Sequence, residues 1–443
     1  MRRATIFAAV IGILILAVSV FFALYRPETS LTNRRAISVG HLPSIEDLRG
    51  NLPSSPLPET SATSVPSSSH DEVANAPSIG YLPPPNRNLS GSVLGRQRVP
   101  LPDAISDIHQ IYYHTPTLTL FMSVTEPDGR RSVWKLPEDG KAERVLSAGD
   151  GVGEVSVFGD SKGVMYLQYD HPARLYRSAD GLKTWNLVLK DYGSFWNIAD
   201  DGAGNVYAGT HDWNRAVLYR STDDGLDWEP FVDFQQLLPQ FAKTYREGDD
   251  RYFLRHLHGV IYDTHEHQLI VGTGDVARFA LMSPDDGRTW RKIWDEGFTA
   301  AVPMSGGFRW LLGPDQLHGH GLAVYDAATG AAREVWNPIP YGYAGYVYSL
   351  LDVNGIYYAA IHTEANEVGE VVPKFGIIAS PDGETWYPFL EYGPLTNHAR
   401  TDIWLAQAPT YVYASINGVL YAFRPLDQEW FQDKTPFAPP PRS

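Results

Sequence analysis

The sequence predicts an all-β fold, a seven-bladed β-propeller, and three observations carry that expectation. A short turn that opens on Ser-x-Asp and closes on tryptophan occurs four times. Hairpin-like pairs of strands begin at 133, 175, 218, 280, 322, 377 and 419, so the steps are 42, 43, 62, 42, 55 and 42 residues. No long amphipathic helical pattern interrupts the strand signals from Ala104 onward. A four-stranded blade takes roughly 40–50 residues, and radial repetition of such sheets leaves few exposed edges. A six-bladed ring is the alternative, if the first unit is not a full blade.

The chain has 443 residues and a formal net charge of -15. That charge disfavours nucleic acid and anionic lipid surfaces as partners and favours solubility. Hydrophobic residues make up 43%, which supports a sizeable core, and the 12 Trp and 25 Tyr suit many short strands. With no cysteine, disulfides, thiolate metal sites and a cysteine nucleophile are excluded.

Residues 1–25 read as a membrane anchor or signal segment. Arg2 and Arg3 precede an apolar run from Ala4 to Tyr25, just long enough to cross ~30 Å of hydrocarbon as a helix. The run ends without an A-x-A cleavage pattern, so a retained single-pass anchor is preferred to a cleaved signal. Residues 26–102 are expected to be a Pro/Ser-rich linker, as in Leu52-Pro-Ser-Ser-Pro-Leu-Pro58 and Tyr81-Leu-Pro-Pro-Pro85. Such a composition buries too little apolar surface to order itself. The propeller follows over 103–435, on the extracytoplasmic side (periplasmic or extracellular), and 436–443 reads as a disordered tail.

The four tryptophan turns are Ser178-Ala-Asp180-Gly-Leu-Lys-Thr184-Trp185, Ser221-Thr-Asp223-Asp-Gly225-Leu-Asp-Trp228, Ser283-Pro-Asp285-Asp-Gly287-Arg-Thr289-Trp290 and Ser380-Pro-Asp382-Gly383-Glu-Thr385-Trp386. The aspartate can accept from turn N–H groups, glycine can take a positive φ, and tryptophan opens the outgoing strand with a large apolar face. The first copy carries its glycine one position early, the second replaces threonine with Asp227, and the last is one residue shorter. These turns resemble the Asp-box (BNR) repeat of the sialidase-like β-propeller superfamily. That family includes sialidases, other glycoside hydrolases, sorting-receptor propellers and photosystem assembly factors. Sialidases also carry an Arg-Ile-Pro motif. Here the nearest match is Arg98-Val-Pro100 at the linker border, and no Tyr–Glu nucleophile pair can be assigned, so sialidase activity is not expected.

Three further hairpins fall in phase: Val133–Gly140 into Arg144–Leu146, Leu322–Gly330 into Arg333–Trp336, and Val419–Phe423 into Glu429–Phe431. Pairs of strand-like runs precede the hairpins, as in Phe195–Ile198 with Asn205–Gly209, His258–Tyr262 with Gln268–Gly272, and Tyr346–Leu351 with Gly355–Ile361. The insertion from Phe234 to Arg251 has room for one short helix.

Counting strands A to D outward from the channel, the tryptophan turns join C to D. Asp180, Asp223, Asp285 and Asp382 are therefore read as structural. The B–C and D–A loops gather on the opposite face, at the channel mouth. Of 14 histidines, His211, His256, His258, His318, His320, His362 and His398 fall there. His171, Arg174, Trp196, Asn197, Trp213, Asn214, Arg255, Asp275, Arg278, Glu364, Arg400 and Asp402 join them. Loops on rigid scaffolds and channel mouths are common places for ligands.

Two uses fit these residues. His256, His258, His318 and His320 can hold a divalent metal, since neutral imidazoles are good ligands. Alternatively, arginines can clamp the carboxylates of an acidic sugar while aromatic rings cover it. In that use His211, His258, Arg255 and Arg400 are the catalytic candidates, and Trp196, Trp213, Arg278, His362 and Tyr343 the ligand contacts. A histidine base beside an arginine suits a polysaccharide lyase. A glycosidase needs two carboxylates, for which Glu154, Asp212, Asp275, Glu364 and Asp402 are unranked candidates. The expectation is a membrane-tethered propeller that binds or processes a glycan. The alternatives are a non-enzymatic protein-binding or assembly scaffold, and a plain repeat protein with structural histidines.

Overall fold

The computed structural model describes residues 96–138, 140–147, 153–170, 172–212, 215–239, 254–275, 277–315, 321–343, 346–362, 374–392 and 402–438. The anchor run and most of the linker lie outside these residues. Among the described residues no helix is long and apolar enough to cross a membrane.

Seven four-stranded antiparallel sheets make up the fold. The inner strands are Asp107–His114, Val155–Gly159, Phe195–Asp200, Leu257–Asp263, Phe298–Pro303, Tyr346–Val353 and Ile403–Gln407. Each packs on the inner strand of the next sheet, and the last packs on the first. A closed ring of seven blades follows. The first unit is a full blade, Asp107–His114, Thr119–Thr125, Arg131–Pro137 and Glu143–Ser147, so the six-bladed alternative falls. The apolar residues form layers between neighbouring sheets; Trp134, Leu136 and Val124 of the first blade, for example, pack with Ala406 and Tyr413 of the last.

Closure uses both ends of the described chain. In blade 7 the outermost strand is Gln97–Arg98, with Gln97 opposite Ala422 and Arg98 opposite Tyr421 of strand Val419–Phe423. The sequence reading placed these two residues in the linker and gave the fourth strand to 429–431. Two residues are too few to show a period of two, which is why the strand escapes a pattern search. Residues Gln428–Phe431 instead form a 3-10 turn, in which the Asp427 side chain accepts from Trp430 N–H. The expected tail is held as far as it is described. Phe437 N–H donates to Trp386 O at 2.8 Å, and the Phe437 ring centroid lies 5.5 Å from that of Trp336. The insertion after 233 opens with a short helix, Phe234–Leu237, capped by Asp233.

Inner strands would leave unpaired N–H and C=O groups along the channel. Side chains of neighbouring blades satisfy some of them. Gln168 Nε2 donates to Phe195 O at 3.0 Å while Phe195 N–H donates to Gln168 Oε1 at 2.7 Å. Asn197 makes the same pair of bonds to Val260 O and N, at 2.8 and 3.0 Å. Thr299 Oγ1 donates to Val347 O at 2.6 Å, and Leu405 N–H donates to Ser349 Oγ at 3.2 Å.

The inner strands also carry bulges at one level. Register shifts fall between 108 and 110, 195 and 198, 257 and 260, 298 and 300, and 347 and 349. A bulge inserts an unpaired residue and re-aims its side chain. The residues so placed include His109, Trp196, His258 and Tyr348.

The four Ser-x-Asp turns share one network. The serine hydroxyl donates to aspartate Oδ1 at 3.0, 2.7, 3.0 and 3.0 Å in chain order. Aspartate Oδ1 then accepts the N–H of Thr184, Asp227, Thr289 and Thr385. In three copies the threonine hydroxyl donates to Oδ2; Asp227 has no hydroxyl to give. In the first copy the early glycine leaves Leu182 with φ +74°, where a side chain is strained. All four turns join third and fourth strands, on the face away from the histidines.

Candidate functional site

The site forms where second strands end and inner strands begin. His211 follows Val206–Thr210, Asp275 lies just beyond Gln268–Thr273, and Asp315 follows Arg309–Pro314. His256 leads into the inner strand Leu257–Asp263, and His258 sits in its bulge. Gly274 makes room for the His258 ring, because a Cβ at 274 would collide with three of its atoms.

The three imidazoles converge. One nitrogen from each of His211, His256 and His258 lies within 4.8 Å of the others. His256 Nε2 and His258 Nε2 are 2.8 Å apart, and the ring centroids of His211 and His256 are 4.3 Å apart. Asp275 closes one side, with Oδ2 at 3.4 Å from His256 Nε2 and Oδ1 at 3.8 Å from His258 Nε2. On the other side His258 Nδ1 lies 2.8 Å from Asp315 Oδ2. Asp315 is 3% exposed and also accepts from Asp275 N–H at 3.1 Å.

The local charges follow from burial. His211 is held well below the ordinary imidazole value by burial, with the neighbouring His256 and His258 adding to the shift. Burial lowers His256 as well, against the opposing pull of Asp275. Burial works against the charge on Asp275, but His256, His258 and Arg255 outweigh it and keep the carboxyl well below the usual range. At neutral pH the site therefore holds neutral His211 and His256 beside an anionic Asp275.

Around the cluster stand an aromatic wall and two arginines. Trp196 has its ring centroid 4.9 Å from His211 and 5.4 Å from His258. Its Nε1–H crosses the channel to donate to Thr299 O at 3.0 Å. Tyr348 and Trp404 pack against it at 4.8 and 6.3 Å. This aromatic group fills the channel at the level of the bulges. Beyond it, toward the Ser-x-Asp turns, residues 197–200, 259–262 and 298–301 line a cavity of ≈ 260 Å³. Arg255 pairs with Asp275. Arg278 pairs with Glu296 at 3.1 Å and donates to Asp315 O at 3.4 Å.

Of the residues singled out in the sequence, His211, His256, His258, Arg255, Arg278, Trp196 and Asp275 come together here. His362 belongs to the aromatic wall: it is fully buried, and its ring centroid is 3.6 Å from that of Tyr348. Tyr343 is elsewhere; its hydroxyl donates to Glu391 at 2.7 Å and its ring packs on Trp336. His171, Trp213, Asn214, His318, His320, Glu364, His398 and Arg400 lie outside the described residues. Of the expected metal set, His256 and His258 are described and His318 and His320 are not; among the described residues the groups that could hold a metal ion are His211, His256 and His258, and His258, Asp275 and Asp315.

Two acids were missed. Asp315 stands directly after a second strand, the same position that picks out His211, so its place was available to the same rule. Asp170 ends the second strand of blade 2. Burial, reinforced by the charge of Glu154, pushes its carboxyl up to about 7.

No family model matches the chain, and no curated protein sequence does. Solved structures do resemble it. A streptogramin B lyase is 11% identical over 75% of this chain and 95% of that one, with a TM-score of 0.53. A catalytically inactive histidine-to-alanine variant of virginiamycin B lyase from Staphylococcus aureus, with quinupristin, is 11% identical over 75% of this chain and 99% of that one, TM-score 0.52. The GH74 xyloglucanase from Xanthomonas campestris is 16% identical over 75% of this chain, TM-score 0.50, and the match spans 54% of that enzyme. The likeness is one of fold.

Proposed function

We propose that this propeller binds and processes an acidic glycan at the mouth lined by His211, His256 and His258. The observation that carries the reading is the convergence of three imidazoles, two of them held neutral by burial, beside Arg255, Arg278 and Trp196. Loss of a proton next to a sugar carboxylate needs a base and a cationic partner for the carboxylate. A neutral imidazole of the cluster supplies the first. Arg255 and Arg278 supply the second by exchanging their carboxylate partners for that of the sugar. Trp196 gives the ring an apolar face. Asp170 accepts at 3.1 Å from the Gln168 amide that also reaches Phe195 O beside Trp196, and burial pushes its carboxyl up, so it is the candidate proton donor to the leaving oxygen.

Two further parts complete the reading. The run Ala4–Tyr25 anchors the chain, and the segment between it and the blade 7 strand at Gln97–Arg98 tethers the propeller outside the cytoplasm. The four Ser-x-Asp turns are structural Asp boxes of a sialidase-like propeller. Incubation of the full-length protein with polyuronides and neutral polysaccharides tests the function. Unsaturated uronide products, lost in His211→Ala and Arg255→Ala, are expected. No product and no binding on any glycan would overturn it in favour of a protein-binding scaffold. Alkaline extraction of membranes tests the anchor, since a spanning segment stays in the pellet and a peripheral chain does not.

A further inference from the structure

We propose that His211, His256 and His258 form a site for a transition-metal dication of the zinc type, with Asp275 beside it and Asp315 orienting His258. The inference concerns the same site as the proposed function but rests on side-chain geometry alone.

Four features of the cluster point to a cation. The nitrogens of three imidazoles lie within 4.8 Å of one another. His256 Nε2 and His258 Nε2 face each other at 2.8 Å, somewhat closer than the roughly 3.3 Å two nitrogens span around a tetrahedral zinc ion. A small opening of one ring admits the ion. Asp275 offers a carboxylate 3.4 Å from His256 Nε2, which adds a negative charge beside the nitrogens. Finally, Asp315 is buried and lies 2.8 Å from His258 Nδ1. A carboxylate on the far nitrogen of an imidazole fixes its tautomer and turns Nε2 toward the metal.

Donor chemistry selects the ion. Imidazole nitrogen suits zinc, nickel and cobalt, whereas magnesium and calcium prefer oxygen-rich shells. His256 and His258 are 3% and 5% exposed, so the ion enters from the side of His211, which is half-buried. With the ion seated, the imidazoles serve as ligands and no longer as the base; the ion provides the positive charge for an incoming carboxylate, and a water on the ion is the base in their place.

The test uses the full-length chain, stripped with chelator and titrated with zinc chloride, with magnesium chloride as the comparison. One zinc ion should bind per chain, and magnesium should not displace it. His211→Ala and His256→Ala should each weaken zinc binding more than tenfold. Asp315→Asn should weaken it by about 10–100-fold, and His265→Ala, on the surface beside Glu266, should leave it unchanged. Circular dichroism reports whether each variant folds; the half-buried His211 keeps the test valid if His256→Ala does not. Absence of zinc binding, or equal affinity in the wild type and His211→Ala, overturns the inference. Glycan cleavage at full rate in chelator, together with no zinc binding, overturns it and leaves the proposed function standing. Zinc bound with no action on any glycan supports it and removes the proposed function instead.

Discussion

The Nδ1 of His258 lies 2.8 Å from Oδ2 of Asp315, and neither side chain is more than 5% exposed. A ring buried to that degree is costly to leave without its partner. Asp315→Ala should therefore destabilise the protein by about 1–3 kcal/mol, read from urea unfolding. Asp315→Asn, which keeps the shape, should cost less and should alter the tautomer of His258, visible in imidazole nitrogen NMR shifts.

Gly274 is the floor on which that ring rests. A methyl group there would overlap the imidazole, and overpacking of this kind costs about 1–3 kcal/mol. Gly274→Ala should abolish function at the site while the far-ultraviolet spectrum stays that of the wild type. An unchanged activity would mean that His258 is not needed where it lies.

Asp223 accepts backbone and serine bonds at Oδ1 but has no hydroxyl partner from position 227, unlike Asp180, Asp285 and Asp382. Asp227→Thr restores that donor and removes a like charge. It should stabilise the fold by about 0.5–1.5 kcal/mol, seen as a higher melting temperature. No gain would show that the turn is satisfied by water.

The same turns set an acid limit. The Thr184 hydroxyl and N–H, followed by the Ser178 hydroxyl, hold the Asp180 carboxyl at about 2. For Asp223, Asp285 and Asp382 burial pushes upward, and the turn donors outweigh it and lower the carboxyl. An unfolded aspartate titrates near ~3.9, so between that pH and the folded values the unfolded chain binds more protons. Stability should then fall as pH drops from about 4 toward 2. Urea midpoints across that range measure it, and replacing all four aspartates with asparagine should flatten the slope.

The ring and its count were legible because four tryptophan turns and three further hairpins mark seven units in the chain. The exceptions were local. Gln97–Arg98 is too short to show alternation, and the 3-10 turn at Gln428–Phe431 offered the apolar residues of a strand without being one. The histidines were legible as a group because they follow second strands or lead into inner ones. What one chain could not disclose was the bulges. A one-residue slip at Trp196 or His258 changes which wall a ring faces, and no residue type announces it. Burial was equally hidden: His362 satisfied the positional rule yet lies sealed behind Tyr348.

Blade 7 borrows its outer strand from Gln97–Arg98, and the strand that receives it begins at Val419. During synthesis the early segment must wait while 322 residues (419 minus 97) are added, on the order of tens of seconds at ribosomal speed. Until then the ring cannot close. A chain that ends short of Val419 lacks the strand on which Gln97–Arg98 pairs, so blade 7 cannot be completed, however well the earlier units have formed.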